Sequence, residues 1–145
     1  MKLVVQRVKN AEVKVDGEEI SKINKGFLVL IGITHNDTEK NADYLAKKLC
    51  KLRVFEDENG KMNLNLSQVG GELLIVSQFT LYANCKDGNR PSFTDAAKPE
   101  KAIELYEYFC EKCSEREINV KKGIFGADMK VSLLNDGPVT IILED

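Results

Sequence analysis

The sequence contains no tryptophan and only one histidine, His35, among its 145 residues. A serine or threonine nucleophile normally needs an adjacent base, so a chain with one histidine is poorly supplied for a Ser-His-Asp mechanism. His35 comes just before the first predicted helix, where we expect it to act in a cap or turn. Mechanisms that use a histidine base are therefore disfavoured.

Long apolar runs are also missing. No window approaches the roughly 18 apolar residues of a transmembrane helix. Residues 1–10 read MKLVVQRVKN and contain neither a long apolar region nor a small-residue cleavage site. In a chain without an export signal, four cysteines indicate reduced cytosolic thiols rather than a disulfide framework; they are Cys50, Cys85, Cys110 and Cys113. The sequence therefore predicts a cytoplasmic protein with no membrane span.

Motifs for metals, cofactors and paired carboxylates are incomplete or missing. Cys110 and Cys113 have the spacing of half a metal site, but no second such pair exists. The helical periodicity around them predicts instead that both face a core. Residues 123–126 read GIFG and lack the lysine and serine of a phosphate-binding loop. Since no carboxylate pairing typical of glycoside hydrolysis is visible either, we expect neither a metal nor a cofactor.

The chain also lacks an excess of positive charge, because its formal net charge is −2. No global basic field of the kind that drives non-specific nucleic-acid binding is expected. Any RNA contact must come from local patches, each of which is more commonly a solvated face. The candidates are Lys47, Lys48, Lys51 and Arg53, then Lys86 with Arg90, Lys98 with Lys101, and Lys121 with Lys122.

The segments that are present have strand or helix periodicity and fit one domain over residues 1–145. Strands are predicted at 2–8, 11–15, 18–23, 27–33, 53–55, 61–66, 72–83, 118–122, 129–134 and 139–143. Amphipathic helices are predicted after the possible caps at 36–38 and from Pro99. The fold class is therefore α+β: a mainly antiparallel, strongly curved, barrel-like sheet with two amphipathic helices packed outside.

The stretch at 72–83, which reads ELLIVSQFTLYA, combines a fully apolar run with an abrupt change to polar residues. The apolar half is typical of a strand that is covered on both faces. If the strand continued, Gln78 and Thr80 would share one face and Ser77 the other. Burying such groups without partners costs about 1–3 kcal/mol each, so they either find backbone partners in the core or open into a pocket.

Gly137 and Pro138 form a second candidate site, between two predicted strands near the end of the chain. An X-Pro bond adopts the cis form at a cost of only about 0.5–1 kcal/mol, and can then hold backbone carbonyls in a paired direction. Such carbonyls could reject groups on one side of a chiral carbon without any side chain. The alternative is an ordinary trans turn.

Together, the SQFTL motif at 77–81 and the NDGPVT motif at 135–140 resemble the D-aminoacyl-tRNA deacylase family. The chain length, the opening residues with QRV at 6–8, the helix positions and the NRPSF loop at 89–93 are also similar to that family. The resemblance covers the whole chain.

The resemblance implies a cytosolic homodimer that hydrolyses the ester between a D-amino acid and the terminal adenosine of tRNA. Ser77, Gln78, Phe79 and Thr80 would line the aminoacyl pocket and carry the catalytic roles. Gly137 and Pro138, in cis, would enter from the partner subunit and reject L-amino acids, and Arg7 would brace that turn. Achiral glycine would be accepted as a second substrate.

The sequence leaves three hypotheses for the catalytic mechanism. Backbone N–H groups near Phe79 and Thr80 would suit a developing oxyanion, while the ribose 2′-hydroxyl of the tRNA would orient the attacking water. Alternatively, Thr80 would be a covalent nucleophile. A general esterase or peptidase would use Ser77 or Thr80 with His35.

A function without catalysis is also open. A non-catalytic RNA- or nucleotide-binding module would use Phe79 and Tyr82 as stacking platforms.

Overall fold

The computed structural model describes residues 1–145 as eight strands and two helices, joined in part by short 3₁₀ turns. The strands are β1 (Lys2–Val15), β2 (Glu18–Ile23), β3 (Gly26–Gly32), β4 (Phe55–Glu56), β5 (Met62–Leu64), β6 (Glu72–Ser77), β7 (Val120–Lys122) and β8 (Lys130–Glu144). The helices are α1 (Glu39–Lys51) and α2 (Pro99–Ser114), and the 3₁₀ turns are Ser67–Val69 and Phe79–Tyr82. Neither α-helix is long and apolar enough to cross a membrane.

The main sheet is mixed and nearly closes into a barrel around β1. One edge of β1 pairs antiparallel with β8, and the other pairs antiparallel with β3 and then with β2. However, β6 runs parallel to both β3 and β7, so the prediction of a mainly antiparallel sheet is partly wrong. The physical reason is that α1 lies between β3 and β6 in the chain and α2 lies between β6 and β7. A helical crossover of this kind returns the chain in the same direction.

The predicted burial of β6 on both faces is confirmed. Leu73 and Ile75 belong to the larger core, which lies between the sheet and the two helices. Leu74 and Val76 belong to a smaller core on the opposite face. All four residues are at most 2% exposed, so β6 is a fully buried support for the residues that follow Ser77.

The two helices begin and pack where the sequence indicates. Thr38 caps α1, and its reciprocal hydrogen bonds with Asn41 form a capping box. Pro99 is the first residue of α2, where its missing N–H is not needed. The helices bury their apolar faces in the larger core through Ala42, Leu45, Ala46, Leu49 and Cys50 on α1 and Leu105, Tyr106, Phe109, Cys110 and Cys113 on α2.

Cys110 and Cys113 face this core, as their helical spacing predicts. Burial raises the pKa of the Cys110 thiol to about 12, so this side chain stays protonated. No group of three or more His, Cys, Asp or Glu side chains is arranged to hold a metal ion.

The second half of the predicted strand at 72–83 is wrong. Strand β6 ends at Ser77, and Phe79–Tyr82 form a 3₁₀ turn. The Gln78 amide donates to the Ile31 carbonyl (2.8 Å), after which the chain turns back across the end of β3. Gly32 permits this close approach, because a Cβ atom there would lie 2.9 Å from the Leu81 Cβ.

The predicted turn at 135–138 lies within β8 rather than between two strands. In the pairing of β1 with β8, Val8 lies opposite Asn135 and Gln6 lies opposite Thr140. Four residues, 136–139, therefore face the single residue Arg7. The surplus residues bulge out of the ladder and form what we call the Gly-Pro turn (residues 136–139), in which Gly137 and Pro138 are exposed and Asp136 and Val139 are half-buried.

Candidate active site

A cleft of about 270 Å³ opens where β6 ends, between the end of β3, the start of α2 and the segment that leads into β8. Most of its lining residues are apolar, and its polar groups are concentrated at the end of β6. The lining residues are Ile31, Ile33, Val76, Ser77, Gln78, Phe79, Ala97, Ala102, Phe125, Gly126, Ala127, Asp128, Met129 and Val131.

The cleft brings together three of the four residues that were expected to line it from the SQFTL motif. Ser77 and Gln78 are half-buried and line it, while Phe79 is 56% exposed at its edge. Thr80 does not line the cleft but lies beside it, since the Gln78 Nε2 donates a hydrogen bond to the Thr80 Oγ1 (2.6 Å). Ser77 and Gln78 therefore open into a pocket, which is one of the two alternatives left by the sequence, while Thr80 lies outside it.

One wall of the cleft was not identified from the sequence. Residues 125–129 read FGADM, and the predicted elements include only Met129 of this segment, yet all five residues line the cleft. Gly123 allows this segment to fold closely, because a Cβ there would lie 2.6 Å from the Met129 Sδ. The sequence feature that could have indicated this wall is a pair of large apolar residues, Phe125 and Met129, on either side of a turn glycine.

The cleft contains almost no groups that could act as an acid or base. Asp128 is the only ionisable residue in its lining, and its side chain is 84% exposed. The carboxylate also accepts hydrogen bonds from the Lys130 Nζ at 3.0 Å. A reaction in this cleft must therefore rely on backbone groups, hydroxyl and amide side chains, or groups that the substrate brings.

His35 does not line the cleft. Its Nε2 lies 2.7 Å from the Thr94 carbonyl oxygen, and its own carbonyl accepts a hydrogen bond from Lys101. With Nε2 donating to a carbonyl, the imidazole anchors the loop that precedes α2. This placement gives no support to an esterase mechanism that pairs His35 with Ser77 or Thr80.

The loop at 84–98 extends the cleft edge with a second exposed aromatic ring. Phe93, 40% exposed, packs edge-on against Phe79 with ring centroids 5.1 Å apart. Backbone hydrogen bonds between Asn84 and Ser92 (2.8 and 2.9 Å) close the loop. The aromatic pair is thus held at the mouth of the cleft and not in the core.

The remaining predicted site residues form a separate group at the Gly-Pro turn. The peptide bond between Gly137 and Pro138 is cis, and both residues are exposed. Arg7 is only 5% exposed beneath them. Its Nε donates to the Asp136 carbonyl (2.8 Å) and its Nη1 to the Val54 carbonyl (2.6 Å).

Asn135 holds the base of the Gly-Pro turn, a role that the sequence did not reveal. Its Oδ1 accepts a hydrogen bond from the Val139 amide (2.8 Å), and its Nδ2 donates to the Thr140 Oγ1 (3.0 Å). These bonds replace part of the interrupted ladder between β1 and β8. An asparagine before a Gly-Pro pair was the available signal, since asparagine commonly bonds backbone groups in turns.

The two groups of residues do not meet within one chain. Neither Arg7 nor any residue of the Gly-Pro turn lines the cleft. Of the predicted site residues, only Ser77, Gln78 and Phe79 therefore lie at the cleft, and the Gly-Pro turn lies elsewhere on the surface.

Two solved structures share this fold. One, described as a c-Myc DNA unwinding element binding protein, superposes with a TM-score of 0.94 at 46% sequence identity and covers 100% of this chain and 99% of that one. Another, described as a probable eukaryotic D-amino acid tRNA deacylase, has a TM-score of 0.82 at 17% identity. At that identity the second likeness shows the fold alone.

The sequence comparisons are more specific. A D-aminoacyl-tRNA deacylase from Geotalea uraniireducens is 60% identical over 144 residues, which cover 99% of this chain and 93% of that protein. The Thermus aquaticus protein of the same name is 57% identical over 144 residues, covering 99% and 95%. The family model for D-Tyr-tRNA(Tyr) deacylase matches residues 4–144. The family model and the near-complete sequence matches agree with the shared fold, and the chain belongs to the D-aminoacyl-tRNA deacylase family, hydrolases that act on carboxylic ester bonds.

Proposed function

We propose that this protein hydrolyses D-aminoacyl-tRNA in the cleft at the end of β6, and that backbone groups of two subunits select the D-amino acid. The observation that carries the proposal is the position of the SQFTL residues. The strand ends at Ser77, and the chain immediately forms a 3₁₀ turn at the mouth of an apolar cleft. This arrangement points polar groups at one place without requiring a titratable side chain.

The start of the 3₁₀ turn supplies donors for the developing oxyanion. The first amides of a helical turn have no acceptor within it, so the N–H groups of Phe79 and Thr80 are available to a ligand. Two such donors aimed at an ester carbonyl oxygen would stabilise its negative charge as water attacks. The Thr80 hydroxyl, which accepts a hydrogen bond from the Gln78 side chain, positions the ester and is not acylated.

The second subunit is proposed because an apolar surface lies open on the sheet. Val4 pairs with Leu30 on one side and with Ile142 on the other, so the three side chains share a face. Val4 and Leu30 are half-buried, and Ile142 is 64% exposed. A second copy of the chain would cover this face and form a homodimer.

In that dimer the Gly-Pro turn is the chiral gate. It projects from its own chain, is absent from its own cleft, and is held firmly from below by Arg7. Inserted into the partner subunit's cleft, its main-chain oxygens would repel the side chain of an L-amino acid but leave room for that of a D-amino acid. Glycine has no side chain to repel, so glycyl-tRNA, including glycine mischarged on tRNA(Ala), would also be hydrolysed.

The proposal is tested by incubating the purified protein with D-Tyr-tRNA, L-Tyr-tRNA and Gly-tRNA and measuring the amino acid that remains esterified. We expect loss of the first and third substrates and retention of the second. A non-catalytic binding module, which the exposed pair Phe79 and Phe93 would also suit, would leave all three intact. Rapid loss of L-Tyr-tRNA would contradict the gate but not the hydrolysis.

Substrate-assisted catalysis predicts a strong dependence on the terminal ribose. Because the cleft has no free base, we propose that the neighbouring 2′-hydroxyl orients the attacking water. Replacing that hydroxyl by hydrogen in D-Tyr-tRNA should slow single-turnover hydrolysis at least about 100-fold, the scale of a lost positioned proton-transfer group. Binding of the deoxy substrate should change much less. Turnover at the normal rate would contradict the proposal, and a trapped aminoacyl enzyme would instead favour Thr80 as a nucleophile.

The alternative mechanism with a histidine base makes the opposite prediction for His35. We expect His35→Ala to keep turnover of D-Tyr-tRNA within about threefold of the wild type, since the imidazole only binds the Thr94 carbonyl outside the cleft. His35→Gln, which keeps a donor for that carbonyl, is the matched control. A loss of 100-fold or more in the alanine variant, with the loop intact by circular dichroism and thermal melting, would restore the histidine mechanism.

A further inference from the structure

The C-terminal half of α1 carries a positively charged surface that the proposed chemistry does not use. Lys47, Lys48 and Lys51 are exposed, and Arg53 follows directly after the helix. Residues three and four apart lie on one side of a helix, which places Lys51 next to both Lys47 and Lys48. We call these four residues the α1 cationic surface.

The charge of this surface is not neutralised by the protein. None of its four residues forms an ion pair, whereas other lysines do, including Lys14, Lys22, Lys112, Lys122 and Lys130. Arg53 is held by the Asn63 carbonyl (2.8 Å), an uncharged partner. No acidic residue occurs from 44 to 55.

The other basic segments are more balanced. Residues 84–101 contain four positive side chains but also three acidic ones, Asp87, Asp95 and Glu100. Lys122 is paired with Glu107, which leaves Lys121 alone in its segment. The α1 cationic surface is therefore the best candidate for binding an anion with many charges.

Stabilisation of α1 through its dipole explains only part of the α1 cationic surface. Positive side chains in the last turn stabilise a helix through its dipole, and Lys48 and Lys51 occupy that turn. Lys47 lies one residue earlier and Arg53 lies beyond the helix, where this effect does not require them.

The surface is connected directly to the Gly-Pro turn. Val54 follows Arg53, and its carbonyl accepts a hydrogen bond from Arg7. The same guanidinium binds the Asp136 carbonyl at the start of the turn. Because the turn is proposed to enter the partner subunit's cleft, the α1 cationic surface would lie near the edge of that cleft, where the body of a tRNA must pass.

We propose that the α1 cationic surface binds backbone phosphates of the tRNA near its aminoacylated end. This inference rests on the proposed function, since the identity of the polyanion follows from the substrate. It assigns to Lys47, Lys48, Lys51 and Arg53 a role in holding tRNA that is independent of the amino acid. The contacts are electrostatic, so they should weaken as salt concentration rises.

The test is the triple variant Lys47→Gln, Lys48→Gln, Lys51→Gln, because glutamine has nearly the helix propensity of lysine. We expect the KM for D-Tyr-tRNA to rise by about tenfold or more, while kcat stays unchanged. The slope of log(kcat/KM) against log of salt concentration should become shallower by about 2 to 3, near 0.9 for each lost phosphate contact. The KM for 3′-O-(D-tyrosyl)adenosine, which has no phosphate, should change far less than that for the tRNA.

The matched control is the triple variant Lys14→Gln, Lys22→Gln, Lys112→Gln, which removes the same charge from lysines that are already ion-paired. Its KM and salt slope should stay close to the wild type. Equal effects in the two triple variants would overturn the inference and indicate only a net-charge effect. Filter binding of uncharged tRNA gives an independent readout: if the wild type binds tRNA through this surface but fails to hydrolyse D-Tyr-tRNA, the proposed function fails and the inference stands.

Discussion

Replacing Gly137 by alanine is expected to reduce the preference for D-Tyr-tRNA over L-Tyr-tRNA by about 100-fold, the scale of effect that a displacement of about 1 Å has at a positioned group. Gly137 has a φ of +145°, which L-residues with a side chain rarely adopt. A Cβ atom there would lie 2.7 Å from the Val139 Cγ2 and 2.9 Å from the Val139 amide nitrogen. The turn must therefore shift, and its main-chain oxygens would no longer meet the substrate in the same place.

The experiment measures single-turnover rates on both substrates, together with thermal stability. Gly17→Ala is the matched control: Gly17 also has a positive φ, +81°, but nothing lies within 4 Å of a Cβ added there. Gly17→Ala should lose a small amount of stability from backbone strain, roughly 1 kcal/mol, and Gly137→Ala should lose more, because its Cβ atom also clashes with Val139. Only Gly137→Ala should lose selectivity. If the two variants discriminate equally well, the Gly-Pro turn is not the gate.

Replacing Arg7 by alanine is expected to lower the free energy of unfolding by about 2–5 kcal/mol and to impair selectivity as well. The buried guanidinium binds two carbonyls, those of Val54 and Asp136, and each would lose this partner at a cost of about 1–3 kcal/mol. Loss of the buried stem adds a packing cost. Against a typical total stability of about 5–15 kcal/mol, this is a large effect.

Arg7→Lys separates the charge from the geometry. A lysine keeps the positive charge, but its single ammonium lacks the planar fork that reaches both carbonyls. We expect it to recover part of the stability while leaving the Gly-Pro turn less firmly held, so that selectivity stays below the wild type. Urea unfolding and the ratio of D to L turnover measure the two effects. An Arg7→Ala variant with stability within 0.5 kcal/mol of the wild type, roughly the range of ordinary surface substitutions, would refute the bracing role.

The proposed site explains why so few reactive side chains are present. Its selectivity would come from backbone oxygens in a projecting turn, and its catalysis from backbone amides and a hydroxyl that belongs to the substrate. Such groups have no pKa near neutrality, so the cleft needs no histidine and tolerates an apolar lining. The same proposed arrangement would make activity dependent on dimer formation, since neither subunit alone would contain a complete site.

Local patterns predicted the elements that support the site. The apolar run at 73–76 predicted a doubly covered strand, and Pro99 and the apolar spacing in 39–51 predicted two helices. These succeed because strand and helix periodicities are properties of neighbouring residues. The end of β6 at Ser77 was not predicted. It depends on the hydrogen bond that the Gln78 backbone N–H donates to the Ile31 carbonyl, and on the space that Gly32 leaves for Leu81.

The family and its two motifs were recognisable in the sequence, since both motifs are short segments whose composition is specific. Contacts in the folded chain were needed to show that Ser77, Gln78 and Phe79 line a cleft, that residues 125–129 form its wall, and that Arg7 ties the Gly-Pro turn to Val54. The tertiary structure also decided that the sheet is mixed, through the two helical crossovers. The reason is physical: these features depend on contacts between residues tens of positions apart, and no local periodicity records which distant segments will meet.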